Sequence, residues 1–196
     1  MIIIVLFGPP GSGKGTQAQI LAQRFHLMHI STGDLFRYNM KNNTPLGLEA
    51  KSYIEKGKLV PDELTTEMLK DELQRNSDQK GFILDGYPRT TSQAEALDHL
   101  LQELYNSDVD KTLALHVEDE ALVKRILKRS IDSGRSDDGD ENIIRNRIKE
   151  YYEKTEIVSE YYKNQNKLVE VKGEGNIEEI TQALSHELEE ILQSKD

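Results

Sequence analysis

The chain has 196 residues, of which 31% are charged, and a formal net charge of −10. This length suits one α/β domain with small insertions, and every apolar run falls short of the roughly 20 residues that a membrane span needs. The acidic balance argues against non-specific binding to nucleic acid or anionic membrane, and the absence of cysteine excludes disulfides and thiolate metal sites. The first apolar run has neither a basic n-region nor a small-residue cleavage site, so we expect a strand there and a cytoplasmic protein.

The first predicted element is a strand that leads into a glycine-rich loop. The apolar run 2–7 precedes Gly8-Pro9-Pro10-Gly11-Ser12-Gly13-Lys14, which fits the pattern G-x-x-x-x-G-K. In that pattern backbone N–H groups surround the phosphates of a nucleotide, and the lysine reaches the β and γ oxygens. Apolar residues at helical spacing follow over 17–25, so the phosphates would lie at a helix N-terminus. A glycine-rich turn without a ligand is the alternative.

The loop departs from the general pattern after its lysine. Gly15 stands where serine or threonine normally follows, and the hydroxyl arrives one residue later, at Thr16. Magnesium must therefore be held differently or only indirectly.

Two segments are predicted to stand outside a simple alternation of strands and helices. The segment from Ser31 to Val60 has a helical pattern between turn signals at both ends. The segment from Lys128 to about Asp140 is rich in Ser, Asp, Gly and Arg and has almost no apolar side chains, which predicts a mobile flap.

A second apolar run, 82–84, is followed by Asp85-Gly86-Tyr87-Pro88-Arg89. Open α/β sheets bind ligands at the carboxyl ends of their strands, so Asp85 is a candidate to hold Mg²⁺ through water. Arg89 has the planar fork that matches phosphate oxygens. The alternatives are that Asp85 caps the next turn and that Arg89 forms a surface ion pair.

Strand-like and helical segments alternate along the whole chain. The strand-like segments are 2–7, 27–30, 82–84, 112–117 and 168–171, which predicts a parallel sheet covered on both faces. The last helix is predicted to begin with Asn176 and Glu179 at capping-box spacing. Its apolar stripe is predicted to pack on the core and comprises Ile177, Ile180, Leu184, Leu188 and Ile191.

With these motifs in place, the chain resembles the adenylate kinase family over essentially its whole length. The resemblance is carried by the motifs 8–16, 30–37, 82–90 and 135–138. It implies a P-loop nucleoside-monophosphate kinase fold, with a central parallel five-stranded sheet flanked by helices and two small mobile insertions. The implied domains are a core of 1–30, 61–127 and 139–196, an AMP-binding insertion of 31–60 and a short lid of 128–138. Zinc is not expected, since the chain lacks the longer, cysteine-bearing lid of some members.

The resemblance also implies roles for individual residues. ATP would contact Gly11, Ser12, Gly13, Lys14, Gly15, Thr16, Arg129 and Gly175. AMP would contact Thr32, Arg37, Lys58, Leu59, Val60, Gly86, Tyr87, Pro88, Arg89 and Gln93. Arg135 and Arg147 would bridge the transferred phosphoryl group and Arg125 would support the donor phosphates, so the catalytic set is Lys14, Arg89, Arg125, Arg129, Arg135 and Arg147.

Several of these assignments have plainer alternatives. Gln93 could instead lie on the exposed surface of a helix. Asp137 and Asp138, which by the resemblance would hinge or fix the lid, could instead belong to a solvated acidic segment. Either Arg145 or Arg147 could match the family's phosphate-bridging arginine. We choose Arg147 because it precedes Ile148 and a pair of tyrosines, as the family's arginine precedes a leucine and a pair of tyrosines.

The predicted function is the Mg²⁺-dependent reaction of ATP with AMP to give two ADP, by a monomer that binds neither nucleic acid nor membrane. A UMP/CMP kinase is the nearest rival, although Thr32 and Thr90 favour adenylate. A P-loop switch or ATPase would need Ser or Thr after Lys14 and a water-positioning residue. A nucleotide-binding protein without activity is the third alternative.

Overall fold

In the computed structural model, which describes residues 1–135 and 137–195, a five-stranded parallel sheet forms the centre of the chain. Its strands are β1 (Ile2–Phe7), β2 (Met28–Ser31), β3 (Gly81–Asp85), β4 (Lys111–His116) and β5 (Leu168–Lys172). Their order is β2-β3-β1-β4-β5. The prediction of a parallel five-stranded sheet is confirmed, and every predicted strand lies within two residues of an observed one.

Helices cover both faces of the sheet because successive residues of a buried strand point to opposite sides. The helices are α1 (Lys14–Phe25), α2 (Thr32–Lys41), α3 (Pro45–Ile54), α4 (Asp62–Arg75), α5 (Thr91–Tyr105), α6 (Asp119–Ser133), α7 (Glu141–Glu150), α8 (Ile157–Lys163) and α9 (Ile177–Lys195). Ile4 and Leu6 of β1 pack towards α1 and α9, whereas Ile3, Val5 and Phe7 pack towards α4, α5 and α8.

The segment between β2 and α4 forms a small unit of two helices. Ser31 caps α2 through the backbone N–H of Asp34, and Thr44 caps α3 through that of Gly47. Phe36, Ala50 and Val60 bury their side chains together with Met68 of α4. The unit therefore has an apolar cluster of its own beside the main core.

The flap predicted from Lys128 is shorter than the sequence indicated. Residues 128–133 are the last turns of α6, which ends at Gly134 in the left-handed conformation with φ of 62°. The polar composition of these residues suits an exposed helix end as well as a loop, and even Ile131 is 80% exposed. Gly134 and Arg135, with residues 137–140, form the non-helical part that the structure describes.

The C-terminal helix begins as predicted. The backbone N–H of Glu179 donates to Asn176 Oδ1 over 2.9 Å, and the backbone N–H of Asn176 donates to Glu179 Oε2 over 3.2 Å, which completes the capping box. The expectation that Ile177 packs on the core is wrong, because its side chain is 57% exposed and lines a cavity at the start of α9.

Between α7 and α8 the chain continues through a π-helical turn, Tyr151–Thr155. Among the described residues, no helix combines the length and the apolar character needed to cross a bilayer.

Candidate active site

The phosphate loop runs from the end of β1 to the start of α1, at the carboxyl edge of the sheet. Two glycines explain the loop's path. Gly8 has φ of 140°, and a Cβ there would lie 2.7 Å from the carbonyl oxygen of Leu115. Gly13, at the N-terminus of α1, has φ of 100°. Side chains at these positions would strain or block the turn, so the glycines allow the backbone to fold around an anion.

Lys14 lies beneath this loop with its ammonium pointing back along it. Its Nζ donates to the carbonyl oxygens of Gly8 over 2.6 Å and Pro9 over 2.9 Å. Burial lowers the pKa of Lys14 to about 8, although the Asp85 charge acts in the opposite direction. An anion that enters the loop would therefore stabilise the charged form of the Lys14 side chain.

Asp85 ends β3 directly opposite the phosphate loop. Burial by itself would raise the pKa of Asp85, but the adjacent His29 imidazole and the Lys14 and Arg89 charges hold it below the usual range. His29 Nε2 is buried and lies 3.8 Å from Asp85 Oδ2, beyond hydrogen-bond distance. Asp85 is therefore an ionised carboxylate at the strand edge, where a cation can approach.

The residues around Asp85 fit a magnesium ion that takes most of its ligands from phosphate and water. A Cβ at Gly15 would lie 3.5 Å from Asp85 Oδ2, so the missing side chain leaves space between them. Within the described part of the chain, no group of three or more His, Cys, Asp or Glu residues could hold a metal by itself. Such a donor set suits Mg²⁺, which keeps several waters and binds through phosphates and one or two carboxylates.

Arg89 and Thr32 meet at the turn that follows Asp85. The Thr32 hydroxyl donates to the carbonyl oxygen of Gly86 over 2.9 Å, and Arg89 Nε donates to the same oxygen over 2.7 Å. Burial lowers the pKa of Arg89, and its guanidinium faces the cavity. The alternative of a surface ion pair is therefore wrong for Arg89.

A shared carboxylate joins arginines from the two segments that the sequence predicts as insertions. Asp34 Oδ1 accepts from Arg37 Nε over 3.2 Å and from Arg135 Nη2 over 3.4 Å. Nearby, Asn146 of α7 donates to the carbonyl oxygen of Lys56 over 2.8 Å. The segments predicted as AMP-binding insertion and lid thus contact one another.

Asp137 and Asp138 are buried, so the solvated reading of this acidic segment is wrong. Asp138 is 0% exposed and accepts from Arg129 Nε over 2.7 Å and from Arg147 Nη1 over 2.8 Å. Asp137 Oδ2 lies 2.9 Å from Arg147 Nη1. These ion pairs hold two arginines at the cavity wall, where charged side chains must be paired to be buried.

The arrangement distinguishes Arg147 from Arg145. Arg147 lines the cavity, whereas Arg145 pairs with Glu120 and Glu141 on the exposed face of α7. Arg125 also lines the cavity and donates to the carbonyl oxygen of Gly173 over 3.1 Å, close to the loop that contains Gly175.

These groups surround one cavity of about 660 Å³. Among the predicted site residues, all of which the structure describes, Tyr87 alone is absent from its lining. Tyr87 is 1% exposed and packs in the main core, and its hydroxyl hydrogen-bonds to Thr66 over 2.8 Å. Its large apolar ring is better buried than exposed to a polar ligand. Gln93 is 2% exposed, so the helix-surface alternative is wrong for it.

Comparison with known proteins agrees with this geometry. Residues 6–167 match the sequence model of the family described as adenylate kinase. The chain belongs to the adenylate kinase family. An adenylate kinase of Flavobacterium johnsoniae is 54% identical over 185 residues, which cover 94% of this chain and 97% of that protein. One of Renibacterium salmoninarum is 45% identical over 195 residues and covers 100% of both chains, and one of Parabacteroides distasonis is 49% identical over 92% of this chain and 94% of that protein.

Several lining residues of this adenylate kinase family member were not predicted from the sequence. They include Phe36, Ile54, Thr65, Glu150, Tyr151, Thr155 and Ile177. The apolar ones have the helical spacing of ordinary core residues, so no signal separates them from packing. Glu150 and Thr155 are brought to the same wall by the π-helical turn, which has no sequence signature of its own.

Proposed function

We propose that the chain performs the reaction of its family, reversible transfer of the terminal phosphoryl group of ATP to AMP, with the two nucleotides in opposite halves of this one cavity. ATP lies on the phosphate loop, with its base near Gly175, and AMP lies on the side of Thr32, Arg37 and Arg89. The observation that carries the proposal is that a second, arginine-lined half faces the phosphate loop across Lys14 and Asp85. A switch or simple ATPase has no need of that second half.

Phosphoryl transfer requires alignment and charge stabilisation more than covalent chemistry, and the residues present suit that task. Lys14, Arg125 and Arg129 would hold the donor phosphates, and Arg37 and Arg89 the AMP phosphate. Arg135 and Arg147, which approach from the lid side, would bridge the moving group. No protein nucleophile is needed, because the AMP phosphate oxygen attacks the terminal phosphorus directly.

Magnesium supplies charge neutralisation at the ATP phosphates when it is bound. Asp85 would orient it through water, in the space that Gly15 leaves open. Asp85 remains ionised for this purpose, because its pKa lies below the usual range.

Contact between the two insertions supports water exclusion during the reaction. Arg135 of the predicted lid donates to Asp34 of the predicted AMP-binding insertion, and Asn146 of α7 donates to the carbonyl oxygen of Lys56 in the same insertion. A covered site prevents transfer of the phosphoryl group to water. The boundaries of the two insertions, a monomeric state and a cytoplasmic location remain predictions from the sequence.

The arrangement is tested by steady-state kinetics of three arginine variants. Arg89→Ala should raise the KM for AMP by about tenfold or more and change the KM for ATP much less, because a charge-assisted contact to one phosphate is lost. Arg129→Ala should affect ATP more than AMP. Arg145→Ala is the matched control, since its guanidinium pairs with carboxylates outside the cavity.

The same assay should be run with AMP, UMP, CMP and GMP, and without an acceptor. Selective turnover with AMP is expected. Equal losses for both nucleotides in Arg89→Ala would contradict its assignment to the AMP half, and turnover without an acceptor would favour an ATPase.

A further inference from the structure

Asp62 and Gln93 form a hydrogen-bond network behind the half of the cavity assigned to AMP. Asp62 is the first residue of α4, and Gln93 lies in the first turn of α5. Gln93 Nε2 donates to Asp62 Oδ1 over 2.7 Å, and the Thr90 hydroxyl donates to Asp62 Oδ2 over 2.7 Å. Of the described residues, Gln93 lines the cavity, whereas Asp62 and Thr90 do not. Asp62 can therefore act on a ligand only indirectly, and Gln93 is its hydrogen-bonded partner in the cavity lining.

The other end of the Gln93 amide is held by the backbone. The N–H of Arg89 donates to Gln93 Oε1 over 2.7 Å. A carboxylate only accepts and an N–H only donates, so these two neighbours match one of the two orientations of the amide. In the flipped orientation the amide oxygen would face the Asp62 carboxylate oxygen, and the amide NH₂ would face the backbone N–H of Arg89. Neither pair can form a hydrogen bond. Because Gln93 is 2% exposed, water could not readily replace the lost hydrogen bonds.

A fixed amide can distinguish purine bases. After its two bonds to the protein, Gln93 keeps one N–H and one carbonyl lone pair for a ligand. A 6-aminopurine presents a donor at its 6-amino group beside an acceptor at N1. A 6-oxopurine reverses this order, with an acceptor at O6 beside a donor at N1. An amide that rotates freely could pair with either base, whereas an amide of fixed orientation pairs with only one of them.

We propose that Asp62 determines base specificity as a positioning residue, by fixing the Gln93 amide so that the site accepts a 6-aminopurine monophosphate and rejects a 6-oxopurine monophosphate. The proposal rests on the assignment of AMP to this half of the cavity. Thr90 supports it by holding the second oxygen of the same carboxylate while its own hydroxyl accepts the backbone N–H of Gln93 over 3.1 Å.

The test compares AMP with inosine monophosphate, which has the same ring system but an oxygen at position 6 and a hydrogen on N1. The readout is the ratio of kcat/KM for AMP to kcat/KM for inosine monophosphate, with ATP as donor. Asp62→Ala should lower this ratio by about tenfold, because the second orientation of the amide then loses its oxygen-to-oxygen repulsion at Asp62 and is opposed by the Arg89 N–H alone. The KM for ATP should stay within about twofold of the wild-type value, since Asp62 lies outside the ATP half.

Two variants separate positioning from general damage. Asp62→Asn keeps an oxygen that can accept from Gln93 Nε2 and should restore most of the selectivity. Glu63→Ala is the matched control, because Glu63 is an exposed carboxylate in the same first turn of α4 and should leave the ratio unchanged. If Asp62→Ala does not fold, Asp62→Ser replaces it, since serine favours a helix start but is too short to hold the amide.

A Gln93→Met variant distinguishes failure of the AMP assignment from failure of the positioning role of Asp62. Adding Asp62→Ala to Gln93→Met should cause no further loss of selectivity, because Asp62 acts through the amide. If Gln93→Met itself changes neither the KM for AMP nor the ratio, the assignment of AMP to this half fails. If Gln93→Met lowers the ratio but Asp62→Ala does not, or if Asp62→Ala lowers it equally in both backgrounds, the positioning role of Asp62 is overturned.

Discussion

Lys14 has a pKa of about 8 because the protein buries its ammonium, and this value makes nucleotide binding dependent on pH. At pH 8.5 such a lysine is about one quarter protonated in the free protein. Bound phosphates favour the charged form and raise the pKa again, so binding of ATP should take up a fraction of a proton at pH 8.5. The uptake through Lys14 should fall as the pH drops below 8, where the free lysine is already charged.

The uptake is measured by titration calorimetry in two buffers of different ionisation enthalpy. At pH 8.5 the phosphates of ATP are ionised in both states, so they do not contribute. Lys14→Met should remove the uptake while weakening binding. Identical heats in the two buffers for the wild-type protein would contradict the lowered pKa of Lys14.

At the scale of single residues, the sequence motifs predicted which side chains face the cavity better than they predicted how these are held. The glycines and Lys14 follow from one contiguous pattern. The burial of Asp138 could not be predicted, because it depends on Arg129 and Arg147, which come from two other helices. The approach of His29 to Asp85 depends on β2 lying beside β3, and the order of strands is not encoded in local periodicity.

At the scale of elements, Asp138 connects α6 to α7 through its two arginine partners. Its burial would raise its pKa, but hydrogen bonds from Arg129 and Arg147 hold the pKa below the ordinary value. Asp138→Asn should therefore lower the free energy of unfolding at pH 7, by about 2–3 kcal/mol, because it leaves two partly buried guanidinium groups without a full counter-charge.

The stability difference between wild type and Asp138→Asn should depend on pH in a defined direction. A carboxyl with a lowered folded-state pKa stabilises the protein above its unfolded pKa, and that stability is lost as the pH falls through the folded value. The difference between wild type and Asp138→Asn should thus be constant from pH 7 to 5 and shrink below about 3.8. Denaturant unfolding at each pH measures it, with the exposed Asp132→Asn on α6 as control. A difference that shrinks already above pH 5 would show that the ion pairs are not its source.

The strands and most helices follow from the sequence because each is a buried apolar run or a clear amphipathic stripe. The end of α6 does not, because residues 128–133 contact solvent and carry no stripe to distinguish a helix from a loop. Likewise, the capping box of α9 predicts where the helix begins but not that the Ile177 side chain in its first turn is exposed.

At the scale of the whole molecule, the approach of the segment between β2 and α4 to α7 depends on a glycine. Gly57 has φ of 66°, and a Cβ there would lie 2.9 Å from the carbonyl oxygen of Ile143 and 3.0 Å from Arg147 Cγ. Gly57→Ala should therefore push the two segments apart, besides straining the backbone. The displaced segment would no longer align AMP with the donor. The kcat/KM for AMP should therefore fall by about tenfold or more, because phosphoryl transfer depends on alignment.

Gly134→Ala separates the close approach from the strain. Gly134 has nearly the same φ, 62°, but among the described residues other than its two chain neighbours no atom lies within 4 Å of an added Cβ. Both variants should lose about 1 kcal/mol of stability from backbone strain, since alanine disfavours the left-handed conformation, and Gly57→Ala should lose more because of its contact with the Ile143 carbonyl. Only Gly57→Ala should also show the kinetic loss, measured as kcat/KM for AMP at saturating ATP. Equal kinetic losses in the two variants would mean that backbone strain, and not the contact between the insertion and α7, limits the reaction.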